Sequence, residues 1–334
     1  MSNFKIGREK LQENKEQPLI SIALKVYNGE KYLREFLDSI ASQTYQNLEI
    51  IACDDHSTDN TVKILVEYSK ILNLKYYINE RRLGIVKNLE KALSLCNGSF
   101  IALADQDDIW IPKKIETLYK EIIRDNNILC VLSDAYVIDA NGNVMADSFI
   151  NHIGVDNSTE FIDFLFGSKY PGSTFLIRRE LLDFALPYPE NVAEDWWLNI
   201  IASKKGKVKF LDKKLIMYRL HSSNTIGALK STFKELSRFY ILKGRKFMEE
   251  HQNILYSTLE RLDKDLTPKE KEMIENLIKF NARKDKYISI SSFLIFLKYF
   301  DRFAKGKKLH IKIIYMLSTL IGFKTLEKIF KVIE

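Results

Sequence analysis

The chain has 334 residues, of which 46% are hydrophobic and 28% charged, a composition that is typical of a folded protein and excludes wholesale disorder. Its formal net charge of +7 is unevenly distributed: residues 230–334 contain 23 Lys and Arg against 13 Asp and Glu, whereas the remainder contains 28 against 31. Length and charge together predict a main domain followed by a basic appendage that has different partners.

The N-terminal sequence MSNFKIGREKLQENKEQ is polar and charged, so we predict that residues 1–17 form a polar leader and neither a signal peptide nor an anchor. The three cysteines, Cys53, Cys96 and Cys130, lie in apolar stretches without CxxC spacing, and an odd number cannot pair completely within one chain. This cysteine usage favours a reducing compartment, and we expect the protein to be cytoplasmic.

Five apolar segments alternate with segments of helical periodicity in the first part of the chain. The predicted strands are residues 19–24, 48–53, 74–78, 100–104 and 128–132. Pro112 suits the first turn of the helix that precedes the fifth strand. The alternation predicts an α/β fold with a mainly parallel sheet flanked by helices, and such sheets bind ligands at the carboxyl ends of their strands.

The alternation stops near residue 134. Shorter strands are predicted at residues 174–177, 208–211 and 215–220, and from about residue 230 the pattern is helical. We therefore predict an α/β domain over residues 18–225 and a basic helical region over residues 226–334. The apolar stretches near the C-terminus, 287–300 and 311–323, are shorter than the ~20 residues that a membrane span needs.

Two acidic clusters follow predicted strands. Asp54 and Asp55 come after the second strand, and Asp105-Gln106-Asp107-Asp108 comes after the fourth. Three carboxylates within four residues repel one another unless a cation lies between them, and hard oxygen ligands suit Mg²⁺ or Mn²⁺. An acidic loop or a helix N-cap is the alternative for the tetrad, and capping by Ser57 or Thr58 is the alternative for the first cluster.

Five motifs taken together resemble the family 2 inverting glycosyltransferases with the GT-A fold. They are ISIALKVYNGEKYL, IIACDDHSTDNT, ALADQDDIWIPKKI, AEDWWL and YRLHSSN, and they occur in that family's order and spacing across residues 19–225. The motifs DQDDIW, DWW and RLHSSN are most similar to those of bacterial rhamnosyltransferases of surface polysaccharide synthesis. The resemblance implies a GT-A-type nucleotide-binding sheet with a C-terminal helical appendage. It also implies transfer of a sugar from a nucleotide donor to a glycan hydroxyl.

The resemblance implies a donor site at the strand ends. The residues that correspond to base and ribose contacts are Tyr27, Asn28, Asp54, Asp55 and Asp105. Asp107 corresponds to the ligand of a Mg²⁺ or Mn²⁺ ion, and Asp108 would assist the ribose or the metal contact. His221 would contact the metal or the diphosphate, with a structural histidine as the alternative. Arg82 and Arg219 would each pair with phosphates. The alternative for Arg82 is a solvated turn before a helix, and the alternative for Arg219 is an ordinary surface charge.

Asp195, in Glu194-Asp195-Trp196-Trp197, corresponds to the general base that takes the proton of the acceptor hydroxyl during inversion. On the acceptor side, Glu194 would raise the pKa of Asp195, and Gly172 corresponds to an acceptor loop. Trp196 would stack on a sugar face. The alternative from the residues alone is a helix capped by Asp195, with both tryptophans in the core.

This sequence departs from the family pattern at three positions near the predicted nucleotide site. Lys25 and Val26 replace small or hydroxyl residues, and His56 replaces a frequent glycine. The expected donor is dTDP-L-rhamnose, and a UDP-hexose is the alternative. A nucleotidyltransferase is disfavoured because LKVYNGEKYL is a poor phosphate loop, and a nucleotide-sugar-binding module without turnover is the non-enzymatic alternative.

Residues 281–334 contain 12 Lys and Arg against 4 Asp and Glu, interleaved with aromatic and branched residues. This pattern predicts peripheral contact with anionic lipid on the inner face of the plasma membrane, which would suit a lipid-linked glycan acceptor. Helices packed on the α/β domain are the alternative. No nucleic-acid partner is expected, because no recognised binding motif accompanies the charge.

Overall fold

The computed structural model describes residues 17–167, 170–221, 249–283, 294–295, 297–300 and 302. Its strands are β1 (Ile20–Val26), β2 (Leu48–Asp54), β3 (Leu74–Ile78), β4 (Phe100–Asp105), β5 (Ile109–Trp110), β6 (Ile128–Ile138), β7 (Val144–Ala146), β8 (Phe175–Arg178) and β9 (Lys207–Arg219). They form one sheet in the order β3-β2-β1-β4-β8-β6-β9-β5, and β7 pairs with β6 at its side.

Helices connect and cover these strands. They are α1 (Leu33–Ala41), α2 (Thr61–Tyr68), α3 (Ile85–Leu95), α4 (Lys114–Ile122), α5 (Phe149–Ile153), α6 (Phe161–Phe164), α7 (Leu182–Ala185) and α8 (Glu194–Lys205). Two 3₁₀ turns, Gly172–Thr174 and Arg179–Leu181, flank β8. Residues 249–262 are helical, and a further helix, α9, spans Pro268–Arg283.

The first half of the sheet is parallel, as the alternation of the sequence predicts. β1 pairs in parallel with β2 on one side and with β4 on the other. These strands are buried along nearly their whole length, because helices cover both faces of a parallel sheet. The register places Lys25 beside both Cys53 and Asp105, so the polar ends of three strands meet at one edge.

The second half of the sheet is mixed, because β8 lies antiparallel between β4 and β6. The strand predicted at residues 128–132 continues to Ile138, and the two short strands predicted after residue 207 are one strand of 13 residues, β9. The pairing of β6 with β9 shifts register near Asp134, and this irregularity accommodates the polar residues 212–213 inside one continuous strand. The predicted α/β class is confirmed. The strands β3, β2, β1 and β4 are all parallel, whereas in the second half the parallel pair of β6 and β9 adjoins antiparallel pairs.

The described part of the C-terminal region packs against α8. Glu250 accepts a hydrogen bond from the backbone N–H of Ala193 at 2.7 Å, and Lys204 forms an ion pair with Glu270 at 2.7 Å. No helix among the described residues is long and apolar enough to cross a membrane. The predicted leader, apart from Gln17, and most of the predicted membrane-contact segment 281–334 lie outside the described residues.

Candidate active site

The loops that follow β1 and β4 are joined by one side chain, Gln106. Its Oε1 accepts from the N–H of Tyr27 at 2.9 Å, and its Nε2 donates to the carbonyl of Tyr27 at 2.9 Å. Gly29 makes room for this contact, since a Cβ on Gly29 would lie 2.3 Å from Gln106 Oε1. The sequence analysis missed the role of Gln106, although a single amide inside a run of carboxylates marks a residue with a different task.

Asn28 and Asp54 connect the loop after β1 to the loop after β2. Asn28 adopts a left-handed φ of 45°, its N–H donates to Ser57 Oγ at 2.8 Å, and its Oδ1 accepts from the N–H of Thr58 at 2.9 Å. The carboxylate of Asp54 is fully buried, and both of its oxygens accept from Ser57. Asp54 therefore holds the loop after β2, and its contact with the base stays a prediction.

Asp55 holds the loop that begins α3. Its Oδ1 accepts from the backbone N–H of Leu83 at 2.6 Å, and its Oδ2 accepts from the N–H of Gly84 at 2.9 Å. The exposed guanidinium of Arg82 lies 4.0 Å from the ring centroid of Tyr27, and Arg82 Nε lies 4.0 Å from Asp55 Oδ2. The structure thus brings three predicted donor-site residues together, with Arg82 beside the predicted base contacts.

Asp107 and His221 meet at the rim of the acidic loop. His221 Nε2 lies 2.8 Å from Asp107 Oδ2, and the ring of Tyr32 stacks on the imidazole with centroids 5.2 Å apart. These two residues are far apart in sequence, and they meet because β9 ends beside the loop between β4 and β5. The structure therefore places together the two residues that the resemblance assigns to the metal.

Arg219 is neither a phosphate ligand nor a surface charge, so both expectations for it are wrong. Its side chain is 2% exposed, and its Nε donates to the carbonyl of Asp107 at 2.8 Å. Its guanidinium also forms an ion pair with Glu35, and its backbone N–H donates to Asp108 Oδ1 at 3.1 Å. Arg219 therefore fixes the backbone of the acidic loop, and its buried positive charge partly offsets the negative charge of the nearby carboxylates.

The donor set at this rim fits a divalent cation that substrate phosphates complete. Among the described residues no three His, Cys, Asp or Glu side chains converge on one point. Asp107 and His221 nevertheless supply one oxygen and one nitrogen side by side, and Mg²⁺ and Mn²⁺ in nucleotide sites commonly take few protein ligands plus phosphates. Asp108 is turned inward instead, and burial, with repulsion by Asp107 and Asp105, raises the pKa of its carboxyl well above the usual range.

Asp195 lies in the first turn of α8. The residue that caps this helix is Ala193, so the alternative in which Asp195 is the cap is wrong. A Cβ on Gly172 would lie 3.6 Å from Asp195 Cβ, so the turn at Gly172 approaches the carboxylate closely. Asp195 Oδ1 is buried and has no hydrogen-bond partner within the described ranges. Burial, with the added negative charge of Glu194, raises the pKa of Asp195 to about 7, and such a carboxyl suits a general base near neutral pH.

Lys25 lies between the acidic loop and α8. Its Nζ is 3.0 Å from Asp105 Oδ1 and forms a second ion pair with Glu194. Burial alone would lower the pKa of Lys25, but the two carboxylates raise it well above its usual value. Burial would likewise raise the pKa of Glu194, but Lys25 holds it below the usual range. The sequence marked Lys25 only as a departure, although a lysine in a buried strand needs charged partners.

Trp196 and Trp197 are core residues. Trp196 is 1% exposed, its indole N–H donates to the carbonyl of Phe164 at 2.6 Å, and its ring stacks on His251. Trp197 is equally buried and donates to the carbonyl of Ala185 at 2.9 Å. Neither indole offers a face to a sugar, so the structure replaces the predicted sugar contact of Trp196 with a packing role.

The chain is similar in sequence to known proteins. The family model described as glycosyl transferase family 2 matches residues 21–184. The dTDP-rhamnosyl transferase RfbG of Shigella flexneri is 31% identical over 242 residues, which cover 67% of this chain and 80% of RfbG. The Escherichia coli UDP-Glc:alpha-D-GlcNAc-diphosphoundecaprenol beta-1,3-glucosyltransferase WfgD is 31% identical over 229 residues, which cover 68% of this chain and 85% of WfgD.

A solved structure confirms the fold. The mannosyltransferase PcManGT from Pyrobaculum calidifontis, solved in complex with GDP-Man and Mn²⁺, superposes with a TM-score of 0.55. The superposition covers 93% of this chain and 87% of that one, at 17% sequence identity. The likeness shows the fold alone, and the predicted GT-A-type α/β architecture with its helical C-terminal region is confirmed.

Proposed function

The chain belongs to glycosyltransferase family 2, and we propose that it transfers a sugar from a nucleotide donor to a glycan hydroxyl with inversion at the anomeric carbon. One observation carries the inverting mechanism. Asp195, whose pKa is raised to about 7, is connected through Glu194 and Lys25 to the acidic loop that presents Asp107. The proposed general base and the proposed donor-binding loop are thereby held at the same edge of the sheet.

The base would act on the acceptor. The ionised carboxylate of Asp195 takes the hydroxyl proton while the acceptor oxygen bonds to the anomeric carbon. The bond from that carbon to the leaving diphosphate breaks, and its electron pair stays on the diphosphate oxygen. Because the oxygen attacks the face opposite the leaving group, the anomeric configuration inverts. The turn at Gly172 packs beside Asp195, and we propose that it borders the acceptor.

The donor diphosphate carries charge that must be stabilised as it leaves. A Mg²⁺ or Mn²⁺ ion, when bound, supplies Lewis-acid stabilisation of that charge. Asp107 and His221 would hold the ion, because the two side chains lie 2.8 Å apart at the rim of the acidic loop. Tyr27, Asn28, Asp55 and Arg82 would surround the base of the donor.

For the donor sugar we propose L-rhamnose carried on dTDP, and the similarity to the dTDP-rhamnosyl transferase RfbG supports this choice. A UDP-hexose is the second candidate, because WfgD is equally similar at 31% identity and uses UDP-Glc. WfgD also supports a lipid-linked glycan as the acceptor. A nucleotide-sugar-binding module without turnover is the remaining alternative.

A donor panel tests the proposal. The full chain is mixed with dTDP-rhamnose, UDP-glucose or UDP, each with and without Mn²⁺, and thermal unfolding and nucleoside diphosphate release are measured. A donor at about 100 times its Kd adds about 2.7 kcal/mol to the free energy of unfolding, which appears as several degrees in Tm. Stabilisation and turnover with dTDP-rhamnose would support both the transfer activity and the rhamnose assignment. Stabilisation and turnover with UDP-glucose alone would refute the rhamnose assignment. Stabilisation without turnover indicates a binding module.

We also propose a cytoplasmic location with peripheral membrane contact through residues 281–334. The net positive charge of that segment is the supporting observation. Co-sedimentation of the full chain with vesicles of anionic lipid, compared with zwitterionic vesicles, tests the proposal. Substitution of Lys305, Lys307 and Lys308 by Glu is expected to release the protein, and equal binding to both vesicle types would contradict the proposal.

A further inference from the structure

Lys25 connects the end of β4 to the start of α8, two elements whose relative position the proposed reaction requires to be fixed. Along β1 it pairs with Asp105 on β4, and its Nζ lies 3.0 Å from Asp105 Oδ1. The same Nζ forms an ion pair with Glu194 in the first turn of α8, next to Asp195. The lysine side chain is 20% exposed, so both ion pairs are largely shielded from solvent.

We propose that Lys25 is a positioning residue that ties the donor-binding end of β4 to the catalytic helix and sets the charge around Asp195. The inference rests on the proposed function, because it assumes that Asp195 is the general base. It goes further in giving a role to a residue at which the chain departs from its family.

The physical reason is the cost of unpaired buried charge. Asp105, Glu194 and Asp195 are three carboxylates in one shielded cluster, and like charges at short range disfavour ionisation. Lys25 pairs directly with two of them. Without its ammonium, Glu194 and Asp105 would repel each other, and the first turn of α8 would lose its tie to the sheet.

Charged and titratable groups face Asp195 from several elements. Glu194 precedes it on α8, and Lys25 lies on β1. Glu250 comes from helical residues 249–262, and the hydroxyls of Tyr188 and Tyr218 come from the preceding loop and from β9. Of these groups Lys25 is the cation, and it opposes the two glutamates that disfavour ionisation of Asp195.

The test is the pH profile of kcat/KM for nucleoside diphosphate release. In Lys25→Met the acidic limb of the profile is expected to move to higher pH by about one unit, because the cation that favours the ionised base is gone. Lys25→Arg keeps the charge and is expected to keep the limb near its wild-type position. The matched control is Lys75→Met on β3, whose lysine is 55% exposed and lies 3.9 Å from Glu49. An unmoved limb in a folded Lys25→Met would overturn the proposal.

A second measurement needs no turnover. Asp195→Asn is introduced into Glu194→Gln and into Lys25→Met/Glu194→Gln, two backgrounds that differ only at Lys25. The gain in Tm from Asp195→Asn at pH 8 is expected to be larger where Lys25 is replaced, because the cation that favours the ionised carboxylate is gone, and Lys75→Met/Glu194→Gln is expected to give the same gain as Glu194→Gln. Equal gains with and without Lys25 would refute a link between Lys25 and Asp195. Absence of turnover by wild type with every donor would instead count against the proposed function.

Discussion

Asp195→Asn is expected to slow transfer strongly and to stabilise the fold above neutral pH. The folded protein raises the pKa of Asp195 from 3.8 to about 7, chiefly by burial. One pH unit corresponds to about 1.4 kcal/mol, so the folded state holds the ionised carboxylate about 4 kcal/mol less favourably than the unfolded chain does. The asparagine side chain has nearly the same shape and carries no charge, so it escapes this cost.

The direction of the pH dependence follows from which state holds the proton. The unfolded chain releases the proton of Asp195 near pH 3.8, whereas the folded protein keeps it until about pH 7. The stability that the protonated carboxyl confers is therefore complete below pH 3.8 and is lost as the pH rises through 7. A change from pH 5 to pH 8 crosses about the upper two pH units of the interval between the two pKa values. At about 1.4 kcal/mol per unit, the free energy of unfolding falls by about 2–3 kcal/mol between these pH values.

Thermal unfolding at pH 5 and at pH 8 measures this change. The Tm of Asp195→Asn relative to wild type is expected to rise by roughly 4–12 °C between the two values, at about 2–4 °C per kcal/mol for a domain of this size. In parallel, kcat/KM at pH 8 is expected to fall by about 10²–10⁴, as for loss of a general base. Asp183→Asn, on the exposed face of α7, is the control and is expected to change neither quantity. A Tm difference that is independent of pH would refute the buried-charge reasoning.

Three further predictions follow from the site. Asp107→Asn is expected to remove the Mn²⁺-dependent part of donor stabilisation in the thermal-shift panel, and a Tm that still responds to Mn²⁺ would exclude Asp107 as a ligand. Gly29→Ala is expected to cost about 1–3 kcal/mol in urea unfolding, because its Cβ would lie 2.3 Å from Gln106 Oε1, and Gln106→Ala in the same chain should recover most of that cost. Trp196→Phe is expected to lower stability by about 1–3 kcal/mol, since it removes the buried hydrogen bond from the indole to the carbonyl of Phe164, while the Kd for the nucleotide-sugar donor measured by calorimetry stays unchanged.

The parallel half of the fold could be predicted from the sequence because its signals are local. Each buried strand is a short apolar run, and each run is followed by a helix with one apolar stripe. The second half could not be predicted as well. The polar residues 212–213 read as a break between two strands, yet they belong to β9 because pairing with β6 continues on both sides of an irregularity. Pairing of that kind depends on a partner strand that the local pattern does not contain.

The candidate site was likewise only partly predictable from the sequence. The acidic loops could be located from the sequence, because carboxylates at strand ends of a parallel sheet face one ligand-binding edge. The partners of each side chain could not, since Asp107 meets His221 and Lys25 meets Glu194 only after the sheet has formed. Trp196 is a residue whose role the sequence motif predicted differently. Because α8 is buried on nearly all sides, the indole of Trp196 packs in the core.

The contacts of the acidic loop bear on the two interpretations that the sequence left open for Asp105-Gln106-Asp107-Asp108. Asp105 is paired with Lys25, and Asp108 points inward and accepts from the backbone of Arg219. Gln106 is used to hold the neighbouring loop. Three of the four side chains are therefore structural, and Asp107 is the carboxylate that remains at the rim beside His221. Arg219, one of the two cations that the resemblance assigns to phosphates, is instead buried under the acidic loop, so in the proposed mechanism a metal ion would supply positive charge to the diphosphate.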